Sequence, residues 1–176
     1  MRARGTLFSS FKIPLMISAV FFLCTPASIA SDDLASYGDA MVVGSISDAR
    51  TLVPILASDT GSSEICGMIF NGLVKYDKHV TIVGDLAERW EVSGDGLSIV
   101  FHLRKGVRWH DGVPFTAKDV EFTYKKLIDP SVKTPYSGDF ERVARFDVID
   151  DYTVRVVYKE PFSPGLSSWG MWIMPE

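Results

Sequence analysis

The chain has 176 residues, of which 18 are basic and 22 acidic, giving a formal charge of −4, and 47% of its residues are hydrophobic and 12% aromatic. A chain this rich in apolar side chains buries enough surface to offset its ordering entropy, which excludes disordered, low-complexity and collagen-like classes; its length suits about one domain at roughly 100–200 residues each. The acidic balance, with no cluster of Lys and Arg, also argues against a nucleic-acid surface.

The first thirty residues read as an export signal. Arg2, Arg4 and Lys12 precede an apolar run from Ile13 to Leu23, and the small residues Ser28 and Ala30 precede Ser31-Asp32-Asp33. The core is too short to span a hydrocarbon layer of about 30 Å, so a cleaved Sec signal is expected, with the cut after Ala30, in preference to a membrane anchor. Cys24 follows Phe21-Phe22-Leu23 instead of the small residues a lipobox needs, which argues against lipidation. Removing Arg2, Arg4 and Lys12 from the 18 basic groups leaves 15 against 22 acidic, net −7. Only Cys66 then remains, so no internal disulfide is expected in the exported chain.

After a polar leader, Met41 to Ile46 is β-prone and predicts a buried first strand. Leu52-Val53-Pro54 opens an irregular stretch, and Ser58 to Ser63 is rich in residues that cap helices or hydrogen-bond ligands. A helix is expected from about Ser63 to Phe70, with Ile65, Met68 and Ile69 as its apolar face, stopped by Asn71-Gly72. Leu73 to Tyr76 and Thr81 to Val83 predict short strands joined at Asp77-Lys78-His79. Leu86 to Val92 points Ala87, Trp90 and Val92 towards a core, and Ser93-Gly94-Asp95-Gly96 offers two glycines able to take positive φ. In Leu97 to Leu103, the residues Leu97, Ile99, Phe101 and Leu103 alternate with Ser98, Val100 and His102, a strand with one apolar face.

A turn-rich connection runs from Arg104 to Phe115. Thr116 then predicts an N-cap for a helix to about Asp129, with Asp119 in its first turn and Val120, Tyr124, Leu127 and Ile128 as the buried stripe. Pro130 ends it. Ser131 to Phe140 is expected to be loop, and Val143 to Ile149 with Thr153 to Tyr158 a hairpin. The segment from Phe162 to Met174 is apolar and carries Trp169 and Trp172, which are expected to pack against a further lobe, with stacking on a ligand as the alternative. Because a domain boundary normally falls in a polar linker, the sequence reads as the N-terminal fragment of a longer protein.

No catalytic apparatus is legible. His79, His102 and His110 have no His or Cys at metal-ligand spacing, no nucleophile elbow or phosphate loop occurs, and Gly94-Asp95-Gly96 lacks the further glycine and helix of a dinucleotide site. No cofactor, no metal and no enzymatic activity are therefore expected, although a secreted hydrolase remains a rival reading, tested by turnover lost on substitution of Asp59 or His110.

The informative string runs Leu86-Ala87-Glu88-Arg89-Trp90-Glu91-Val92-Ser93, Asp95-Gly96-Leu97, and Phe101 through Arg104-Lys105-Gly106-Val107-Arg108-Trp109-His110-Asp111-Gly112, then Pro114-Phe115-Thr116-Ala117 and Asp119-Val120. It resembles the signature of the family 5 extracellular solute-binding proteins, the peptide- and nickel-binding components of bacterial ABC importers. Ile69 to Asp77, Val148, Asp150, Tyr152 to Val154 and Glu160-Pro161-Phe162 extend the likeness over the whole exported chain. Trp90, Arg104, Gly106, Trp109, His110, Asp111, Gly112, Thr116, Asp119 and Val120 read as architectural. An anion site formed by Arg104, Lys105 and Arg108 is the alternative.

The resemblance implies an α/β chain, the N-terminal part of a bilobed periplasmic-binding-protein type II fold whose second lobe is missing. Residues 1–30 would be the signal peptide, 31–62 the leader and first strand of lobe I, and 63–176 a smaller α+β subdomain of that lobe. It implies a periplasmic component, monomeric when full length, that captures short peptides and hands them to an inner-membrane ABC permease. A nickel chelate, an oligosaccharide or an opine are the other solutes, and a truncated product without binding activity is the remaining alternative. The ligand-lining positions it carries over are Ser58, Asp59, Thr60 and Tyr136, with even weight on simple helix capping for Ser58 to Ser63. Micromolar binding needs about −8 kcal/mol, which half a cleft can hardly supply.

Overall fold

The computed structural model describes Gly44 and residues 47–176; the expected signal peptide, Cys24 and, apart from Gly44, the expected Met41–Ile46 strand lie outside the described residues. A 3₁₀ turn at Pro54–Leu56 leads into helix α1 (Thr60–Ile69), followed by strands β1 (Val74–Tyr76), β2 (Ile82–Gly84), β3 (Ala87–Val92) and β4 (Ser98–Leu103). Helix α2 (Ala117–Leu127), the single turn α3 (Ser137–Phe140), and strands β5 (Val143–Asp150) and β6 (Thr153–Tyr158) complete the regular elements before two 3₁₀ turns in the tail.

β1 and β2 form an antiparallel hairpin, and the other strands form an antiparallel sheet in the order β3-β4-β6-β5. Alternation explains the two central strands. Ile99, Phe101 and Leu103 of β4 and Val154, Val156 and Tyr158 of β6 are buried, while the residues between them are half-buried on the other face. The β3–β4 turn uses the chemistry expected of it: the Asp95 carboxylate accepts from the Leu97 amide at 2.9 Å, and Gly96 takes φ +69°. Gly94 does not adopt positive φ, so one left-handed residue suffices here.

Helix α2 starts where its sequence dictates. Thr116 Oγ1 accepts from the first-turn amides and Asp119 Oδ2 accepts from the Thr116 amide at 2.8 Å, a reciprocal cap that satisfies donors the helix leaves open. Ala117, Val120, Thr123 and Leu127 are buried. Ile128 is 38% exposed, because it lies past the last turn as the C-cap, and Tyr124 is half-buried, stacking on Phe146 at 4.9 Å. Val92, at the end of the edge strand β3, is 52% exposed and not directed to the core.

The tail departs furthest from expectation. Trp169 packs into this unit's own core: its ring is 1% exposed and meets Phe140 edge-on at 5.2 Å, with Phe101 and Phe146 at 5.8 and 5.7 Å. Its indole N–H donates to the Tyr158 hydroxyl at 3.0 Å, which donates in turn to the Gly165 carbonyl at 2.8 Å. At 150–250 Å² and about 25 cal/mol per Å², this one burial contributes roughly 4–6 kcal/mol, an upper figure. The tail also closes on β1. Leu73 donates to the Trp169 carbonyl at 2.8 Å, and a Cβ on Gly72 would sit 2.5 Å from the Gly170 oxygen.

α1 begins three residues earlier than the pattern predicts, because Asp59 and not a serine caps it. Its buried residues are Gly61, Ser62 and Cys66, while Ile65 and Met68 of the expected apolar face are 38% and 73% exposed. Contact with the tail explains the choice, since Gly67 faces the Trp172 ring with a Cβ position 3.5 Å away. Burial pushes the Cys66 thiol up, so it stays protonated and unreactive at neutral pH.

Candidate functional site

The four residues expected to line a cleft come from two distant segments, and the structure ties those segments together. Thr134 Oγ1 donates to the Ile55 carbonyl at 2.6 Å, and the Tyr136 hydroxyl donates to the Ala57 carbonyl. The backbone amide of Tyr136 in turn donates to Thr134 Oγ1 at 3.2 Å, which shapes the loop locally. The Pro54–Leu56 turn and Ala57, immediately before Ser58, are thereby pinned to the loop that carries Tyr136.

Asp59 is committed to architecture. Its Oδ1 accepts from the Ser62 amide at 2.9 Å and its Oδ2 from the Ser62 hydroxyl at 2.7 Å, and these bonds from Ser62, the backbone one foremost, hold its carboxyl below the usual range. The same buried Ser62 oxygen accepts from the amides of Arg50 and Thr51 at 2.9 and 3.2 Å. Ser58 and Thr60 are exposed on either side of this cap. Of the capping and lining readings of this segment, the geometry demonstrates capping for Asp59.

Tyr136 is half-buried and forms one wall of a groove of about 330 Å³ whose other walls include Pro135, Asp139, Phe140, Ser168 and Met171. Phe140 is buried beneath it against Trp169. Ser168 Oγ lies 2.8 Å from Asp139 Oδ2 and 3.0 Å from the Pro164 carbonyl, its one proton serving either acceptor. Residues 131–140 read as featureless loop in the sequence, and Asp139, Ser168 and Met171 are distant from one another in it; only the short turn α3 and the returning tail bring them together. A larger cavity of about 500 Å³ lies elsewhere, between Phe70, Tyr76 and Trp172. Its polar groups are already paired, Asp85 accepting from Asn71 at 2.9 Å and from Lys75 at 3.1 Å, so it offers a ligand less.

None of the signature residues lies in the Tyr136 groove. Trp90 is half-buried on β3, and Arg104 donates its Nε to the Asp85 carbonyl at 3.1 Å. Gly106 and Gly112 hold φ +78° and +89°, values that favour glycine, and Asp111 accepts from the Val113 amide at 2.9 Å between them. Trp109 meets Phe115 edge-on at 6.0 Å, with its indole N–H buried and without a partner among the described residues. His110 is exposed, while Val120 is fully buried, and Asp119 Oδ1 accepts from the Glu176 amide at 3.1 Å. Arg104, Lys105 and Arg108 diverge: Lys105 lies 5.5 Å from the Tyr152 ring centre, and Arg108 donates to the Gly112 carbonyl at 2.8 Å. That divergence disfavours an anion site.

His102 is half-buried with Nε2 3.4 Å from Glu91, and His79 and His110 are exposed. Among the described residues no group of three or more His, Cys, Asp or Glu is placed to hold a metal, and no helix is long and apolar enough to cross a membrane.

A family model described as bacterial extracellular solute-binding proteins, family 5 Middle, matches residues 81–175. A curated relative, the glutathione-binding protein GsiB of Pectobacterium atrosepticum, is 30% identical over 139 residues, which is 79% of this chain and 27% of the relative. Among solved structures, the periplasmic binding protein DppA of Helicobacter pylori in complex with the peptide STSA is 29% identical with a TM-score of 0.66, covering 73% of this chain and 29% of that one. NikZ of Campylobacter jejuni in complex with Ni(L-His) is 26% identical with a TM-score of 0.67, covering 73% and 26%. The mixed helix and sheet fold thus matches part of the fold of periplasmic binding proteins, and the chain spans about a quarter of the length of the curated relatives it matches.

Proposed function

This chain belongs to the bacterial extracellular solute-binding proteins of family 5, and from that membership we propose that it forms part of the periplasmic substrate-binding component of an ABC importer that captures short peptides. Residues 1–30 direct export, residues 31–62 supply the leader and first strand of lobe I, and residues 63–176 supply the smaller subdomain of that lobe. A second lobe closes over the ligand about a hinge, and an inner-membrane permease accepts the loaded form. No bond is made or broken. An extended peptide is held chiefly through its main chain, so side-chain tolerance is expected.

The observation that carries this reading is the tie between the Tyr136 hydroxyl and the Ala57 carbonyl, which joins the two segments that the family resemblance assigns to the cleft. Ser58 and Thr60 present hydroxyls at the rim of that junction, Tyr136 presents an aromatic face, and Asp59 keeps the rim in shape through Ser62. Relatives named for glutathione support the peptide class, since glutathione is itself a tripeptide. The neighbour holding Ni(L-His) makes a metal chelate the competing solute.

The test starts from the natural protein recovered from the cell envelope. Its intact mass reports whether export removes residues 1–30, and titration calorimetry against di- and tripeptides, glutathione and nickel–histidine reports the ligand. Micromolar or tighter binding of peptides, weakened about tenfold by Tyr136→Ala, is expected. Binding of nickel–histidine with no peptide bound overturns the peptide assignment, and a product of only Ser31 to Glu176 that binds nothing reduces it to ancestry.

A further inference from the structure

We propose that Asp139 makes the groove beside Tyr136 a subsite for a cationic group of the ligand, an ammonium or guanidinium, so that the peptides captured are basic ones. The inference rests on the peptide-binding reading and narrows it to a charge class.

Three observations converge. Among the described residues lining the groove, Asp139 alone carries a formal charge, the others being apolar, hydroxyl or aromatic. Its Oδ2 lies 2.8 Å from the Ser168 hydroxyl, a neutral donor shared with the Pro164 carbonyl that cannot cancel the charge. The cations that could cancel it are engaged elsewhere or absent from the walls. Arg142, three residues on, pairs with Glu160 at 3.0 Å, Lys159 donates to the Glu141 carbonyl at 2.6 Å, and Lys133, in the same loop as Tyr136, is not among the lining residues.

The surroundings suit a cation in a second way. Tyr136 supplies an aromatic side chain to the wall of the same groove, and an aromatic ring beside a carboxylate suits an alkylammonium or guanidinium through both its charge and its apolar stem. The field of Asp139 also reaches the interior, where it is one of the influences, after burial, that raise the Tyr158 hydroxyl. A ligand carboxylate in this groove would stand beside the Asp139 carboxylate, and among the described lining residues no side chain carries a positive charge to offset the repulsion.

The experiment uses the natural full-length binding protein and sets of tripeptides that differ at one position only, with Lys, Gln or Glu there, each position taken in turn. In one of the three positions the Lys member is expected to bind about fivefold tighter than Gln and tighter still than Glu. Asp139→Asn, which keeps the shape and the Ser168 contact, is expected to bring Lys and Gln within twofold. The wild-type preference is also expected to shrink as salt rises from about 10 mM to about 500 mM, a readout that needs no substitution and stands even where the variant fails to fold. Peptides that bind with equal affinity for Lys, Gln and Glu at every position, or a Lys preference untouched by both salt and Asp139→Asn, overturn the inference and leave the peptide reading intact. Failure of every peptide to bind overturns both.

Discussion

Helix α2 buries Ala117, Val120, Thr123 and Leu127 beneath the four-stranded sheet, whereas α1 buries Gly61, Ser62 and Cys66 and turns Ile65 and Met68 outward. The first is held by apolar area and a reciprocal cap. The second is held by close backbone approach and by hydrogen bonds converging on one serine hydroxyl. In α1, therefore, the smallest residues matter more than the largest. The segment of low apolar burial is also the one that adjoins Ser58, Thr60 and the Tyr136 loop, the residues proposed to line the cleft.

The contrast can be broken most severely at its apolar end. Trp169→Ala is expected to cost about 3–5 kcal/mol, a large share of a small domain's stability, read as a shift in the midpoint of urea unfolding. A change confined to a few tenths of a kcal/mol would mean that the tail does not anchor the core.

Next comes alkaline pH. Burial, opposed by the hydrogen bond from Trp169, pushes the Tyr158 hydroxyl up to about 12 against an ordinary value of 10. A folded-state value raised above the unfolded one stabilises fully below pH 10 and is lost as pH climbs from 10 to 12, by about 3 kcal/mol. Denaturation at stepped pH should show this slope, and Tyr158→Phe should flatten it while leaving the Trp169 N–H and the Gly165 carbonyl without their partner.

Within α1, Gly61→Ala places a Cβ 2.7 Å from the Ser47 carbonyl oxygen and is expected to cost about 2 kcal/mol. Thr116→Ala removes the cap of α2 for about 1 kcal/mol, with Thr116→Asn restoring most of it. Met68→Ser, at a side chain 73% exposed, should fall within about 0.5 kcal/mol, and the ratio of the Gly61 effect to the Met68 effect measures how far small residues govern α1.

Much of the fold was legible because it obeys local rules. The alternation of Ile99, Phe101 and Leu103, the cap at Thr116 with Asp119 in the first turn, and the β5–β6 hairpin each follow from spacing that one segment carries by itself. The buried face of α1 is not legible in the sequence, because Ile65, Met68 and Ile69 have helical spacing, and spacing identifies an apolar stripe without saying whether the chain covers it. Family resemblance points to Tyr136, and capping chemistry points to Asp59 as well. Asp139, Ser168 and Met171 carried no signal, since their relation exists only across a loop and a tail that lie apart in sequence.

The sequence alone determined the order of β3, β4, α2, β5 and β6, the cap that starts α2 and the turn between β3 and β4, and the family to which the chain belongs. Those properties depend on residues near one another in the chain, where propensity, periodicity and hydrogen-bonding reach act directly. Tertiary structure decided that Trp169 closes this unit's own core, that Asp59 serves Ser62, and that one carboxylate stands in the groove beside Tyr136. Each of these depends on which distant segments meet, a choice made by the collective burial of apolar surface and the satisfaction of buried polar groups, which no single segment encodes.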